Sequence, residues 1–128
     1  MTAIATLTTF ALDCAEPRAV AEFYSAITGW EIARDDGEWV VLRSDGGATL
    51  AFQLTPGHQP PKWPSDDHPQ QAHLDFEVAE LEAGEAAVVA LGARKAEVQP
   101  EPDAFRVFLD PAGHPFCLVA AERPVDYN

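Results

Sequence analysis

Apolar and polar residues alternate with period two over Thr9–Cys14. Phe10, Leu12 and Cys14 share one face; Thr9, Ala11 and Asp13 share the other. Such alternation is the signature of a half-buried strand. The same pattern returns after an offset of 64 residues, which carries Thr9 onto His73 and Cys14 onto Val78. There Leu74, Phe76 and Val78 alternate with His73, Asp75 and Glu77. Each strand pattern gives way to a helical one. In the first, Pro17 stands near the opening turn, where its missing N–H costs nothing. Val20, Phe23, Tyr24 and Ile27 follow at i, i+3, i+4, i+7 spacing, and Gly29 closes the run. In the second, Leu81, Ala87, Val88 and Leu91 form the predicted stripe and Gly92 the stop, with Gly84 weakening the helix modestly.

Three further strands are predicted after each helix. Trp30–Arg34, Trp39–Arg43 and Ala48–Leu54 are separated by Asp35-Asp36-Gly37 and Asp45-Gly46-Gly47 turns. Ala93–Val98, Phe105–Asp110 and Pro115–Ala120 repeat the series, with Asp110-Pro111-Ala112-Gly113 as a type I turn. The offset also carries Phe52-Gln53-Leu54 onto Phe116-Cys117-Leu118. The order strand, helix, three strands is thus given twice. Thr55–Gln71, rich in proline, connects the copies and is long enough to suggest a function of its own.

Composition narrows the partners. At 47% hydrophobic, 128 residues suffice for one domain with a real core. No apolar run approaches the ~20 residues of a membrane span, and the start lacks a basic signal-peptide region. Eight Lys+Arg against 21 Asp+Glu give a net charge of −13. That field repels phosphate backbones and anionic membranes, and it favours cationic or neutral small ligands. Two cysteines, Cys14 and Cys117, argue for a reduced, cytoplasmic protein without a disulfide framework.

Each helix is expected to cover one sheet face, packing on Phe10 and Leu12 or on Leu74 and Phe76. The opposite face mixes small, apolar and polar residues, among them Thr9, Gln53, His73, Asp75 and Cys117. Two such faces curling toward each other would line a cup able to hold a ligand. Asp75, mid-strand beside His73, is expected inside it. With Asp13 and Glu77 it would suit an amine or guanidinium, or serve as a general base. Trp39 begins a strand and either lines the cup or packs in the core. Trp63, held in Pro60-Pro61-Lys62-Trp63-Pro64, either closes over a flat ligand or anchors the loop. His114, after a turn glycine, is expected exposed. No nucleophile elbow, phosphate loop or dinucleotide fingerprint occurs.

Phe23-Tyr24 with Ile27-Thr28-Gly29-Trp30, His73-Leu74-Asp75-Phe76-Glu77-Val78 and Asp110-Pro111-Ala112-Gly113-His114-Pro115-Phe116 resemble the motifs of vicinal oxygen chelate proteins. That superfamily includes glyoxalase I, bleomycin-resistance proteins, methylmalonyl-CoA epimerase and extradiol dioxygenases. The resemblance runs from Thr6 to Ala121. It implies an α+β fold of two βαβββ modules forming a cup-shaped mixed sheet with helices outside. Module one would span about 4–55, a loop 56–71 and module two about 72–121, within one domain over 1–128. It also implies a homodimer.

Metal-dependent members of the superfamily hold a divalent ion with four side chains. The corresponding positions here are Thr9, Gln53, His73 and Cys117. His73 matches, Gln53 offers an amide oxygen, and Cys117 stands where a carboxylate is usual. The set His73 and Gln53 makes an incomplete metal site, so no cofactor is expected, with a divalent metal as the alternative. Two functional readings follow. One is a small-molecule binder of the bleomycin-resistance kind, with Thr9, Trp39, Gln53, Trp63, His73, Asp75 and Cys117 lining the pocket. The other is a metal-dependent lyase, isomerase or dioxygenase. A metal-free enzyme using Asp75 or Glu77 as base is a third.

Overall fold

The first alternating segment is strand β1 (Thr9–Cys14) in the computed structural model, which describes residues 2–121. Met1 and residues 122–128 of the expected domain lie outside the described residues. Helix α1 (Pro17–Thr28) follows, with Pro17 in its first turn and Gly29 as its left-handed cap at φ 74°. The Gly29 N–H donates to the Ser25 carbonyl at 2.8 Å, closing the last turn. Val20, Phe23 and Tyr24 are buried, as the stripe predicts, Ala21 is buried beside them, and Ile27 is half-buried. Strands β2 (Glu31–Asp35), β3 (Trp39–Arg43) and β4 (Thr49–Leu54) complete a sheet ordered β1-β4-β3-β2. β1 runs parallel to β4; the other pairs are antiparallel. Tyr24 stacks on Phe52 at 5.6 Å between ring centres, joining helix to sheet.

The second half repeats the plan. Strand β5 (Leu74–Val78), helix α2 (Leu81–Ala90) and strands β6 (Arg94–Lys95), β7 (Phe105–Leu109) and β8 (Pro115–Ala120) give a sheet ordered β5-β8-β7-β6. The two halves are separate compact units, the first ending at His58 and the second beginning at Gln59. In the second, Phe116 is fully buried between Phe108 and Phe76.

Three details depart from the sequence reading. The α2 stripe is rotated: Leu91 is exposed, Ala87 is exposed, and Val88 alone of the helix is fully buried. Gly84 explains the rotation. A Cβ there would lie 3.2 Å from both Leu118 Cδ1 and Val78 Cγ1. The glycine is therefore the point of closest approach to the sheet rather than a mere weakness. Second, β6 is two residues long where Ala93–Val98 was expected. Pro100 and Pro102 lie just downstream, and proline cannot donate to a ladder. The Gln99 side chain substitutes for the missing strand. Its amide N–H donates to the Val107 carbonyl at 2.8 Å, and its carbonyl accepts from the Val107 N–H at 2.9 Å. Third, His114 is largely enclosed rather than exposed. Its Nδ1 lies 2.7 Å from Asp110 Oδ2, a carboxylate with no exposed surface that requires donors around it.

Candidate functional site

Alternation in the second sheet sends Leu74 and Phe76 of β5 and Phe116 and Leu118 of β8 to one face. His73, at the edge of β5, and Asp75 go to the other, with Cys117 and Val119 of β8. Register then sets neighbours. Asp75 lies opposite Cys117, Val107 lies opposite Cys117 on the other side, and Phe105 lies opposite Val119. Trp63, Gln70 and Pro100 border the same face. Together they bound a cavity of about 350 Å³, at the small end of ordinary ligand pockets. Its walls are mainly apolar: Trp63, Phe105, Val107 and Val119.

The polar groups gather around Asp75. His73 Nε2 lies 3.2 Å from Asp75 Oδ1, and both side chains are substantially exposed, at 39% and 57%. Asp75 is thus an open wall of the cavity. A strand flanked by other side chains only on one side leaves it in reach of water. Cys117 is buried, and its thiol donates a hydrogen bond to Asp75. Burial foremost, and then the Asp75 charge and hydrogen bond, push this thiol up from 9.0 to about 12. The Gln70 side-chain oxygen is buried and has no hydrogen-bond partner.

The thiol shift gives a direct expectation. In EDTA-treated protein, alkylation of Cys117 by iodoacetamide should stay slow through pH 9 and accelerate only toward pH 12. Because the folded form holds its proton more tightly than the unfolded form, stability should fall as pH rises from about 9 to about 12. Asp75→Asn should bring the alkylation profile to lower pH. An unchanged profile in that variant would exclude the carboxylate as a cause.

The sequence-predicted residues divide between the units. His73, Asp75, Cys117 and Trp63 meet around the second unit's cavity. In the first unit, Gln53 stands opposite Asp13 on one side and Trp39 on the other. Gln53 is exposed and Trp39 half-buried. The Thr9 hydroxyl lies 3.2 Å from that of Thr49. Gln70, Phe105 and Val107 were not singled out from the sequence. Phe105 and Val107 were accessible to it, since they share parity with the face opposite Arg106, which pairs with Glu82 of α2 at 3.0 Å. Gln70 was hidden in the loop.

A divalent ion is what the superfamily's chelate would bring. Among the described residues, His73, Asp75 and Cys117 offer a nitrogen, an oxygen and a sulfur, all within 4.8 Å of one another. That donor chemistry fits zinc or another thiophilic ion better than a hard, oxygen-seeking one. His58 and His68, which flank Trp63 in the sequence, are not in the group.

Twice-repeated βαβββ units with this strand order define a paired-module α+β protein of the glyoxalase and bleomycin-resistance type. The chain belongs to the glyoxalase-like domain family, which matches residues 9–119. Solved structures of the same fold include a glyoxalase/bleomycin resistance/dioxygenase family enzyme from Burkholderia phytofirmans. It is 19% identical, with a TM-score of 0.66 over 89% of this chain and 97% of its own. A glyoxalase-related enzyme from Fulvimarina pelagi is 18% identical, with a TM-score of 0.67 over 97% and 94% of the two chains. A possible glyoxalase from Bacillus cereus is 18% identical, with a TM-score of 0.66 over 92% and 100%. No curated protein matches the chain in sequence.

Proposed function

We propose that the protein binds a small, flat, cationic or aromatic molecule on the open face of the second sheet. The observation that carries this reading is the cavity itself. Apolar walls with an aromatic ring at the border surround a few polar groups, which is the usual make-up of a small-molecule site. The −13 charge and the Asp75 carboxylate favour a cation. The same charge speaks against nucleic acid and anionic membranes as partners. Among the described residues no helix is long and apolar enough to cross a membrane. Cys14 and Cys117, which form no disulfide, accord with a cytoplasmic setting, and the family resemblance with a homodimer.

Trp63 provides the test. Titration with planar cationic aromatic compounds should quench tryptophan fluorescence. Trp63→Ala should weaken binding roughly tenfold or more, since a buried aromatic contact contributes about 1–2 kcal/mol. Equal affinity in wild type and variant would remove Trp63 from the site. Flat titrations across a broad panel would sink the reading.

The N, O and S donors support a second reading, a metal-dependent enzyme. Zinc held by His73, Asp75 and Cys117 would supply a Lewis acid to polarise a substrate oxygen. Protein grown with zinc, nickel, manganese and iron should then retain near-stoichiometric metal, lost in His73→Ala. No metal in either protein would leave the binding reading alone.

A further inference from the structure

Gly113 sits in the turn between β7 and β8, buried and with φ at +92°. A Cβ there would lie 2.6 Å from Pro60 Cβ and 3.0 Å from Pro60 Cγ. Carbon atoms do not approach so closely, so the connecting loop comes down on the turn where a side chain is missing. The turn is held firmly. The Gly113 N–H donates to the Asp110 carbonyl at 2.9 Å, and the Asp110 carboxylate accepts from the Ala112 and His114 N–H groups. The loop is stiff where it lands, because Pro60 and Pro61 each fix φ. Beyond them, the Lys62 N–H donates to the His68 carbonyl at 2.7 Å and the Ser65 N–H to the Lys62 carbonyl at 2.6 Å. These bonds tie residues 62–68 into a closed tip that includes Trp63. Trp63 borders the cavity, and so does Pro115, which follows the turn.

We propose that Gly113 is a positioning residue for ligand binding: its bare Cα seats Pro60, and the seated loop holds the Trp63 ring at the cavity border. This inference rests on the proposed binding function and goes beyond it, since neither Gly113 nor Pro60 borders the cavity itself. A side chain at Gly113 acts at a distance. To reach ordinary carbon–carbon separation from 2.6 Å, Pro60 must retreat by about 1 Å. The stiff prolines pass that movement to the tip, and Trp63 withdraws with it. A gap of about 1 Å already forfeits up to roughly half of a van der Waals contact, so a shift of this size is felt by a ligand.

The test uses the full chain labelled with fluorotryptophan and read by fluorine NMR. Trp30, Trp39 and Trp63 give one signal each, and Trp63→Phe assigns the last. Trp30 and Trp39 belong to the first unit and serve as internal references. Gly113→Ala should move or broaden the Trp63 signal and leave the other two in place. Gly92→Ala is the control. That glycine also has a positive φ, +110°, but nothing lies within 4 Å of its missing Cβ. It should cost stability without moving Trp63. Pro60→Gly empties the same contact from the loop side and adds no strain to the turn. It should move the Trp63 signal too, and it decides the matter if Gly113→Ala does not fold. Titration with proflavine, a planar aromatic cation, gives the functional readout. Both contact variants should weaken it about tenfold, as Trp63→Ala does, because all three withdraw the same ring. The double variant should lose no more than the worse single one, since the two act through one contact. A Trp63 signal unmoved in either contact variant, once folded, would overturn the inference. So would an equal displacement in Gly92→Ala, which would make Gly113 one strained turn among others. A wild-type protein blind to proflavine and to other planar cations would remove the binding function, and the fluorine spectra would still decide whether Gly113 places the ring.

Discussion

Phe116→Ala is expected to lose about 3–5 kcal/mol of stability, the usual cost of emptying a buried phenylalanine site. The ring has no exposed surface. It stacks on Phe108 at 5.7 Å and meets Phe76 edge-on at 6.1 Å between ring centres. Phe76 is on β5, Phe108 on β7, and β8 lies between them, so one side chain ties three strands. In a chain of this size the loss should lower the melting temperature by roughly 10–20 °C. Phe116→Leu should recover most of it. A midpoint within about 3 °C of wild type would mean that the aromatic cluster is not what holds the second sheet. The effect should reach the cavity too, since Cys117 is the next residue and points to the other face of the same strand.

The Asp110 carboxylate carries the second large effect. It is fully enclosed, and it accepts from the Ala112 N–H at 2.8 Å, the His114 N–H at 3.0 Å and the His114 ring Nδ1 at 2.7 Å. Asp110→Ala removes the acceptor and leaves these donors in a largely closed turn. Unpaired buried donors cost about 1–3 kcal/mol each, partly relieved by water, so a loss of about 2–4 kcal/mol is expected. Asp110→Asn keeps one carbonyl oxygen and should lose about half as much. Chemical denaturation measures the loss, and amide hydrogen exchange locates it. Protection should fall at Ala112 and His114 first. Unaltered exchange at both amides would show that the turn is held by its backbone alone, through the Gly113 N–H to the Asp110 carbonyl.

The repeat was legible because two local signals agree in each copy: period-two alternation and a helix with a glycine stop. Strand parity followed as well, which is why His73, Asp75 and Cys117 were placed on one face. Register was not legible. The repeat offset would set Cys117 opposite Glu77, as Gln53 stands opposite Asp13, but the second unit sets Cys117 opposite Asp75. A shift of two residues preserves every face assignment, so no hydrophobic pattern can report it. That shift brings the thiol beside the carboxylate next to His73. Gln70 was illegible for a different reason: a glutamine in a proline-rich loop carries no periodic signal. The exposure of Asp75 and the enclosure of His114 also depend on packing that local sequence does not encode.

The side chain of Gln99 has a consequence for how the molecule behaves at high concentration. Together with the Ala96 N–H, which donates to the same Val107 carbonyl at 3.0 Å, it occupies the pair of β7 backbone groups that a foreign extended segment would need to begin docking. The neighbouring two-residue β6 presents Arg94 and Lys95, charges that resist aggregation. The largely apolar strand Phe105–Leu109 is thereby shielded at this flank from sideways pairing by one amide and two cations.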